Sequence, residues 1–178
     1  MSNVNNPHGL RPLMRNFQGG RPQLFGYTKE VGYNAAIYVW DPVTLLAGVL
    51  NGPASGITPG TTRYVGVAFG PGSPALTAAV LAVLRSKDAV YECQEDASGA
   101  ANVVAAKMGY NANLTTTAGD STRLTSKVQV SGTSINTTSS LDVHIDRLLN
   151  VPDNAYGANA RLEIRFNKHL DNAEVTQT

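Results

Sequence analysis

At 178 residues with 42% apolar side chains, the chain can bury one real core, since a chain of this length hides roughly 70% of its unfolded surface. Charged residues make up only 15%, against about 25% in an average soluble protein. Thr, Ser, Asn, Gly and Ala fill the deficit, giving a surface suited to strands, turns and burial in assemblies, while a net charge of +1 offers no long-range field for nucleic acid or membrane.

Residues 1–23 read as an extended arm. The first seven lack the basic and apolar regions of a secretory signal. Pro7, Gly9, Pro12, Gly19, Gly20 and Pro22 break any helix or central strand. Leu10, Leu13, Met14 and Phe17 stand between them without a period, so the arm has little to bury against itself. It is either disordered or docked on another surface, with Arg11, Arg15 and Arg21 keeping it soluble.

Residues 24–170 read as a single β-rich domain, and 171–178 as a tail. Residues 23–28 form the first strand, followed by a turn at 32–34. Residues 36–40 form the next, closed by Asp41-Pro42. Asn51-Gly52-Pro53 and Thr58-Pro59-Gly60 are turns. The uncharged stretch 64–84 is interrupted by Gly66, Gly70, Pro71, Gly72 and Pro74, and its unbroken apolar part falls far short of the ~20 residues of a membrane helix. It reads as two buried strands around a turn, with Val65, Val67 and Phe69 alternating in the first and residues 77–84 forming the second. Another strand covers 89–94. Short strands at regular spacing predict an all-β barrel or sandwich.

Cys93 is the only cysteine; it excludes an intrachain disulfide and reads as a buried, inert thiol. Residues 98–108 are the one helical candidate, with Gly109 as the stop, although a strand is the alternative. Residues 111–141 read as loop around a strand at 127–130.

Leu141-Asp142-Val143-His144-Ile145-Asp146-Arg147 and Arg161-Leu162-Glu163-Ile164-Arg165-Phe166 each alternate apolar with polar, the mark of strands with one buried face. Paired antiparallel so that residue numbers sum to 307, they set Asp142 against Arg165, His144 against Glu163 and Asp146 against Arg161. Leu141, Val143 and Ile145 then meet Phe166, Ile164 and Leu162. Asp142, His144 and Asp146 are chemically adequate metal ligands, but alternate residues of a flat strand project in parallel about 7 Å apart, so the ionic ladder explains them better. No phosphate-binding loop or nucleophile elbow is present; no catalytic activity, metal or cofactor is expected. Trp40 and Tyr38 read as core or interface, His8 and His169 as solvated.

Several short stretches resemble the capsid decoration, or cement, proteins of tailed bacteriophages. Asn6-Pro7-His8-Gly9-Leu10-Arg11-Pro12 is similar to their Asn-Pro-x-Gly-aromatic-x-Pro start, with Leu10 where an aromatic is usual. Trp40-Asp41-Pro42-Val43 resembles their Asp-Pro-Val strand end, and Val90-Tyr91-Glu92-Cys93-Gln94-Glu95-Asp96 their Val-Phe-Glu-x-Gln-x-Asp strand. Met108-Gly109-Tyr110-Asn111-Ala112-Asn113-Leu114 and Glu163-Ile164-Arg165-Phe166-Asn167-Lys168-His169 resemble their Val-Gly-x-Asn-Ala-x-Leu turn and last strand. Leu124-Thr125-Ser126 stands where a Gly-x-Ser element is usual.

The resemblance implies a barrel or sandwich on the capsid exterior, made in the bacterial cytoplasm. It would bridge copies of the major capsid protein as a homo-oligomer, a trimer before a dimer. Leu10, Arg11, Leu13, Met14, Arg15 and Phe17 would form the capsid-binding arm, so removing residues 1–20 is expected to leave a folded domain that binds capsids poorly. The alternatives are a receptor- or glycan-binding virion module using Trp40, Tyr38 or Tyr156, another head or tail component, or a hydrolase built on Asp142, His144 and Asp146.

Overall fold

The computed structural model describes residues 3–13, 23–29, 36–46, 48–53, 58–69, 80–98 and 103–172. The strands are β1 (Arg11–Pro12), β2 (Leu24–Thr28), β3 (Pro42–Leu46), β4 (Val49–Asn51), β5 (Tyr64–Ala68), β6 (Val80–Leu84), β7 (Tyr91–Gln94), β8 (Asn111–Ala112), β9 (Val143–Leu148) and β10 (Arg161–Phe166). They form two five-stranded antiparallel sheets, ordered β1-β7-β10-β9-β8 and β2-β6-β5-β3-β4. The fold is an all-β sandwich, and helical structure among the described residues is confined to single 3-10 turns at Ala105–Lys107, Gly132–Ser134 and Leu170–Asn172.

The main core lies between the sheets. Tyr64, Val67 and Leu84 of the second sheet meet Tyr91, Cys93, Val143, Ile145, Leu162, Ile164 and Phe166 of the first, with the Tyr64 and Phe166 rings stacked at 4.8 Å. Ile37, Val43, Leu50, Val65, Ala68, Leu81 and Val83 make a smaller cluster. β5 feeds both, which is why it has no polar face. Where β3 pairs with it the register slips past Val65, and Gly66 adopts φ +153, where a Cβ would come 2.1 Å from the Leu84 carbonyl oxygen.

The start of the chain is part of this sandwich rather than an arm beside it. Leu10 is fully buried in the main core. Arg11 and Pro12 pair with Glu92 and Tyr91 as an edge strand, a place where proline is tolerated because one side of the strand makes no ladder. Removing residues 1–20 would therefore take away core and sheet, not a free extension. Of the remaining arm residues, Leu13 is half-buried and its N–H donates to Val90; Met14, Arg15 and Phe17 lie outside the described residues.

β9 and β10 form the expected antiparallel hairpin, in a different register. Val143 pairs with Phe166, His144 with Arg165 and Ile145 with Ile164; past a bulge, Arg147 pairs with Glu163 and Leu148 with Leu162. The bulge leaves Asp146 as the extra residue. Its cause is legible in the chain: strict alternation after Ile145 would turn Arg147 inward, and one added residue turns Leu148 inward instead.

Other expectations change as well. Residues 36–40 make only isolated contacts, such as the Val39–Thr125 bridge, because Trp40 turns the chain with φ +69. The strands nearby are β3 and β4, which sequence reading passed over. Within 98–108 the described part is a 3-10 turn after an extended Val104. Val103 is buried while Val104, Ala105 and Ala106 face solvent, and Gly109 ends the turn with φ +84. Residues 127–130 keep strand-like alternation of burial, but only Val130 bridges, to Glu95 and Leu114. His169 is not solvated: it is buried, its Nε2 3.1 Å from the Val65 carbonyl oxygen.

Candidate functional site

The outward face of the first sheet gathers the charged residues that alternate with the core. On β7, Tyr91 and Cys93 point into the core, so Glu92 and Gln94 point the other way, beneath the first residues of the chain. Glu92 is wholly buried. Arg11 donates to its Oε2, Arg161 Nε donates to Oε1 at 2.6 Å, and His8 Nε2 lies 3.3 Å from Oε1. Burial alone pushes this carboxyl up; His8, Arg161 and Arg11 reverse the effect and hold it at about 2.

Gln94 secures the same segment. Its Oε1 accepts the Asn6 N–H at 3.0 Å, and its Nε2 donates to the Val4 carbonyl at 2.7 Å. Asn3 bonds to the loop before β10, donating to the Ala155 and Ala158 carbonyls at 2.9 Å each. Between these groups lies a polar recess of about 360 Å³ bordered by Asn3, His8, Arg11, Glu92, Asn154 and Arg161.

The face continues across β10 and β9. Arg147 Nε donates to Glu163 Oε2 at 2.9 Å. Arg165 grips Asp146 with both ends of its fork, Nε to Oδ2 and Nη2 to Oδ1, each at 2.8 Å. His144 Nε2 is 3.9 Å from Asp146, and its Nδ1 is 3.1 Å from Asn111 Oδ1.

The expected ladder is thus rebuilt with other rungs. Arg165 meets Asp146, Glu163 meets Arg147, and Arg161 reaches Glu92 on the opposite neighbour. The pairs Asp142–Arg165, His144–Glu163 and Asp146–Arg161 do not form, because the register differs by two residues before the bulge and three after it. Asp142 leaves the face altogether. It is buried, and its two oxygens accept the N–H groups of Gly60 and Leu114, each at 2.9 Å. Burial pushes its carboxyl up, against those bonds, the Tyr64 hydroxyl and Lys168. Its role is to tie the turn before β5 to the loop after β8. No group of three His, Cys, Asp or Glu among the described residues is placed to hold a metal ion.

A second knot joins β3 to the start of the chain. Trp40 holds its left-handed turn through bonds at both backbone ends: its N–H donates to Ala68 at 2.9 Å and its carbonyl accepts Leu10 N–H at 3.0 Å. Its ring is partly buried, edge-on to Phe69 at 5.2 Å, while Tyr156 is exposed. Asp41 beside it is buried and accepts the Tyr38 N–H at 2.7 Å. Burial pushes its carboxyl up to about 6, against the opposing bonds from Ser126 and Tyr38.

Sequence reasoning missed Glu92, Gln94 and Asp41 as organising residues. A charge at the centre of the apolar run Val90-Tyr91-Glu92-Cys93 was the available signal, since a strand buried on one side must aim that charge at partners. No helix among the described residues is long and apolar enough to cross a membrane. A scan against family models and searches of curated proteins and of solved structures match nothing.

Proposed function

We propose that this chain is a structural virion protein that binds the outside of a tailed-phage capsid and stabilises its lattice of major capsid protein, acting as a homo-oligomer, a trimer before a dimer. The observation that carries the reading is the meeting of the stretches that resemble decoration proteins. Residues 6–12 lie on β7, with Arg11 opposite Glu92 and Asn6 bonded to Gln94. The same segment closes on residue 40 through the Leu10–Trp40 bond. Stretches 108–114 and 163–169 meet where Asn167 Nδ2 donates to Asn111 Oδ1 at 2.9 Å. Motifs scattered along the chain thus serve two junctions of one sandwich, as expected of a signature that encodes a fold.

A protein of this kind stabilises by binding only the assembled shell, and its many copies turn a modest contact into avidity. The capsid contact has to be made by exposed groups, which removes Leu10 from it and, among the described arm residues, leaves Arg11 and the half-buried Leu13. The test is light scattering of the purified protein, then co-sedimentation with expanded empty shells of the same virus. Saturable binding at a fixed ratio per shell supports the reading. A protein that stays in solution overturns it, and glycan-array binding lost in Trp40→Ala would assign a receptor-binding role instead.

A further inference from the structure

The ion pairs described on the outer face of the first sheet are stratified, acids below and arginines above. The carboxylate side chains of Glu92, Glu163 and Asp146 are 0%, 3% and 16% exposed, whereas those of Arg11, Arg147, Arg161 and Arg165 are 49%, 62%, 35% and 52% exposed. The charges nearly balance by count, yet solvent meets the cations. A guanidinium carries five N–H donors in a rigid fork, and a single carboxylate beneath it engages only part of that fork.

We propose that this face is a docking surface for an acidic protein surface, read by Arg11, Arg147, Arg161 and Arg165. The buried carboxylates act as anchors: Arg11 and Arg161 are held from two strands by one Glu92, Arg147 by Glu163, and Arg165 by a two-pronged grip on Asp146. Anchored guanidinium groups lose less conformational freedom on binding than free ones. Charge complementarity selects carboxylates as the partner chemistry. A nucleic acid is disfavoured, because phosphate-chain binding draws on many uncompensated cations. Among the described residues, four guanidinium groups stand over three carboxylates, with exposed Asp153 bordering Arg11 and Arg161 and exposed Asp88 near Arg165, in a chain of net charge +1.

The inference stands apart from the virion reading, because its test needs no shell. The full chain is titrated with poly-L-glutamate and, separately, with a DNA duplex of matched charge, at several salt concentrations. The R147Q/R165Q double variant should bind poly-L-glutamate at least about ten-fold more weakly than the unaltered chain. R63Q, which removes an exposed charge next to β5 in the other sheet, should leave binding unchanged. Arg147 and Arg165 cover acids, so melting curves are recorded for each variant. R147K/R165K, which keeps positive charge over them, should retain most of the affinity. Affinity that does not fall with salt, equal loss in R63Q, or absence of binding overturns the proposal. Tighter binding to the DNA also overturns it, as does a self-associated species that R147Q/R165Q dissociates, which would assign the face to a second copy of the chain.

Discussion

The amide of Leu10 donates to the carbonyl of Trp40 at 3.0 Å, and so fastens the first strand of one sheet to the turn that leads into β3 of the other. The Leu10 side chain continues inward and is fully buried. Leu10→Ala should therefore cost about 2–5 kcal/mol, the usual range for emptying a core leucine site. Urea unfolding measures it; a loss under about 1 kcal/mol would show that the start of the chain is not part of the core. A chain lacking residues 1–12 should melt well below the full chain.

Gly9 and Gly48 both have left-handed backbones, φ +74 and +83, but different surroundings. A Cβ on Gly9 would lie 2.3 Å from Ser126 Cβ and 2.6 Å from the Trp40 oxygen, whereas one on Gly48 would meet nothing within 4 Å. Gly48→Ala should cost only the conformational strain of about 1–2 kcal/mol. Gly9→Ala adds overpacking of about 1–3 kcal/mol. Equal thermal shifts in the two variants would contradict the close approach at Gly9.

Glu92 sets the acid limit of stability. Its carboxyl is held at about 2, below an ordinary value of 4.5, so its contribution is fully present above pH 4.5 and is lost as pH falls toward 2. The shift corresponds to about 3 kcal/mol. Glu92→Gln should be less stable by that order at neutral pH, and its unfolding free energy should fall less steeply between pH 4.5 and 2. Parallel acid slopes in the two proteins would rule out this role.

Asp41 acts with the opposite sign. Its carboxyl is raised from 3.8 to about 6, so the fold favours the protonated form. The associated stability is full below pH 3.8 and is lost as pH rises through 6. Asp41→Asn keeps an oxygen for the Tyr38 N–H and removes the ionisation. Across that window the unaltered chain should lose up to about 3 kcal/mol relative to the variant. Urea curves at pH 4, 5, 6 and 7 decide it.

Cys93 is wholly buried, and burial pushes its thiol up. A thiol-reactive dye should leave the folded protein untouched and label it fully in urea. Rapid labelling without denaturant would mean that β7 opens far more readily than its packing implies.

The strand pair at the end of the chain shows what sequence patterning can and cannot carry. Period two in residues 141–147 and 161–166 identifies both strands and their inner faces. It does not set their offset, because moving by two residues keeps every face; Arg165 then stands against His144, and the bulge brings Arg147 opposite Glu163. The decisive sign was Arg147 standing where an inward residue was due, with Leu148 directly after it. At the chain's start the misreading had a different origin. Proline and glycine argue against central strands, but β1 is an edge strand and Gly9 turns tightly against Ser126. The ionic face was legible as a set of residue types; its layering was not, because depth depends on which strands flank β7, and no local pattern encodes that order.

The order β1-β7-β10-β9-β8 also dictates a timetable. Glu92 needs Arg11 from one neighbouring strand and Arg161 from the other, so Arg11 waits for a strand made much later before the acid is fully paired. Closing such long loops is slow. During synthesis, β7 passes through a stage in which Glu92 has Arg11 but not Arg161 and the edge facing β10 is open, a stage that ends only when β10 arrives.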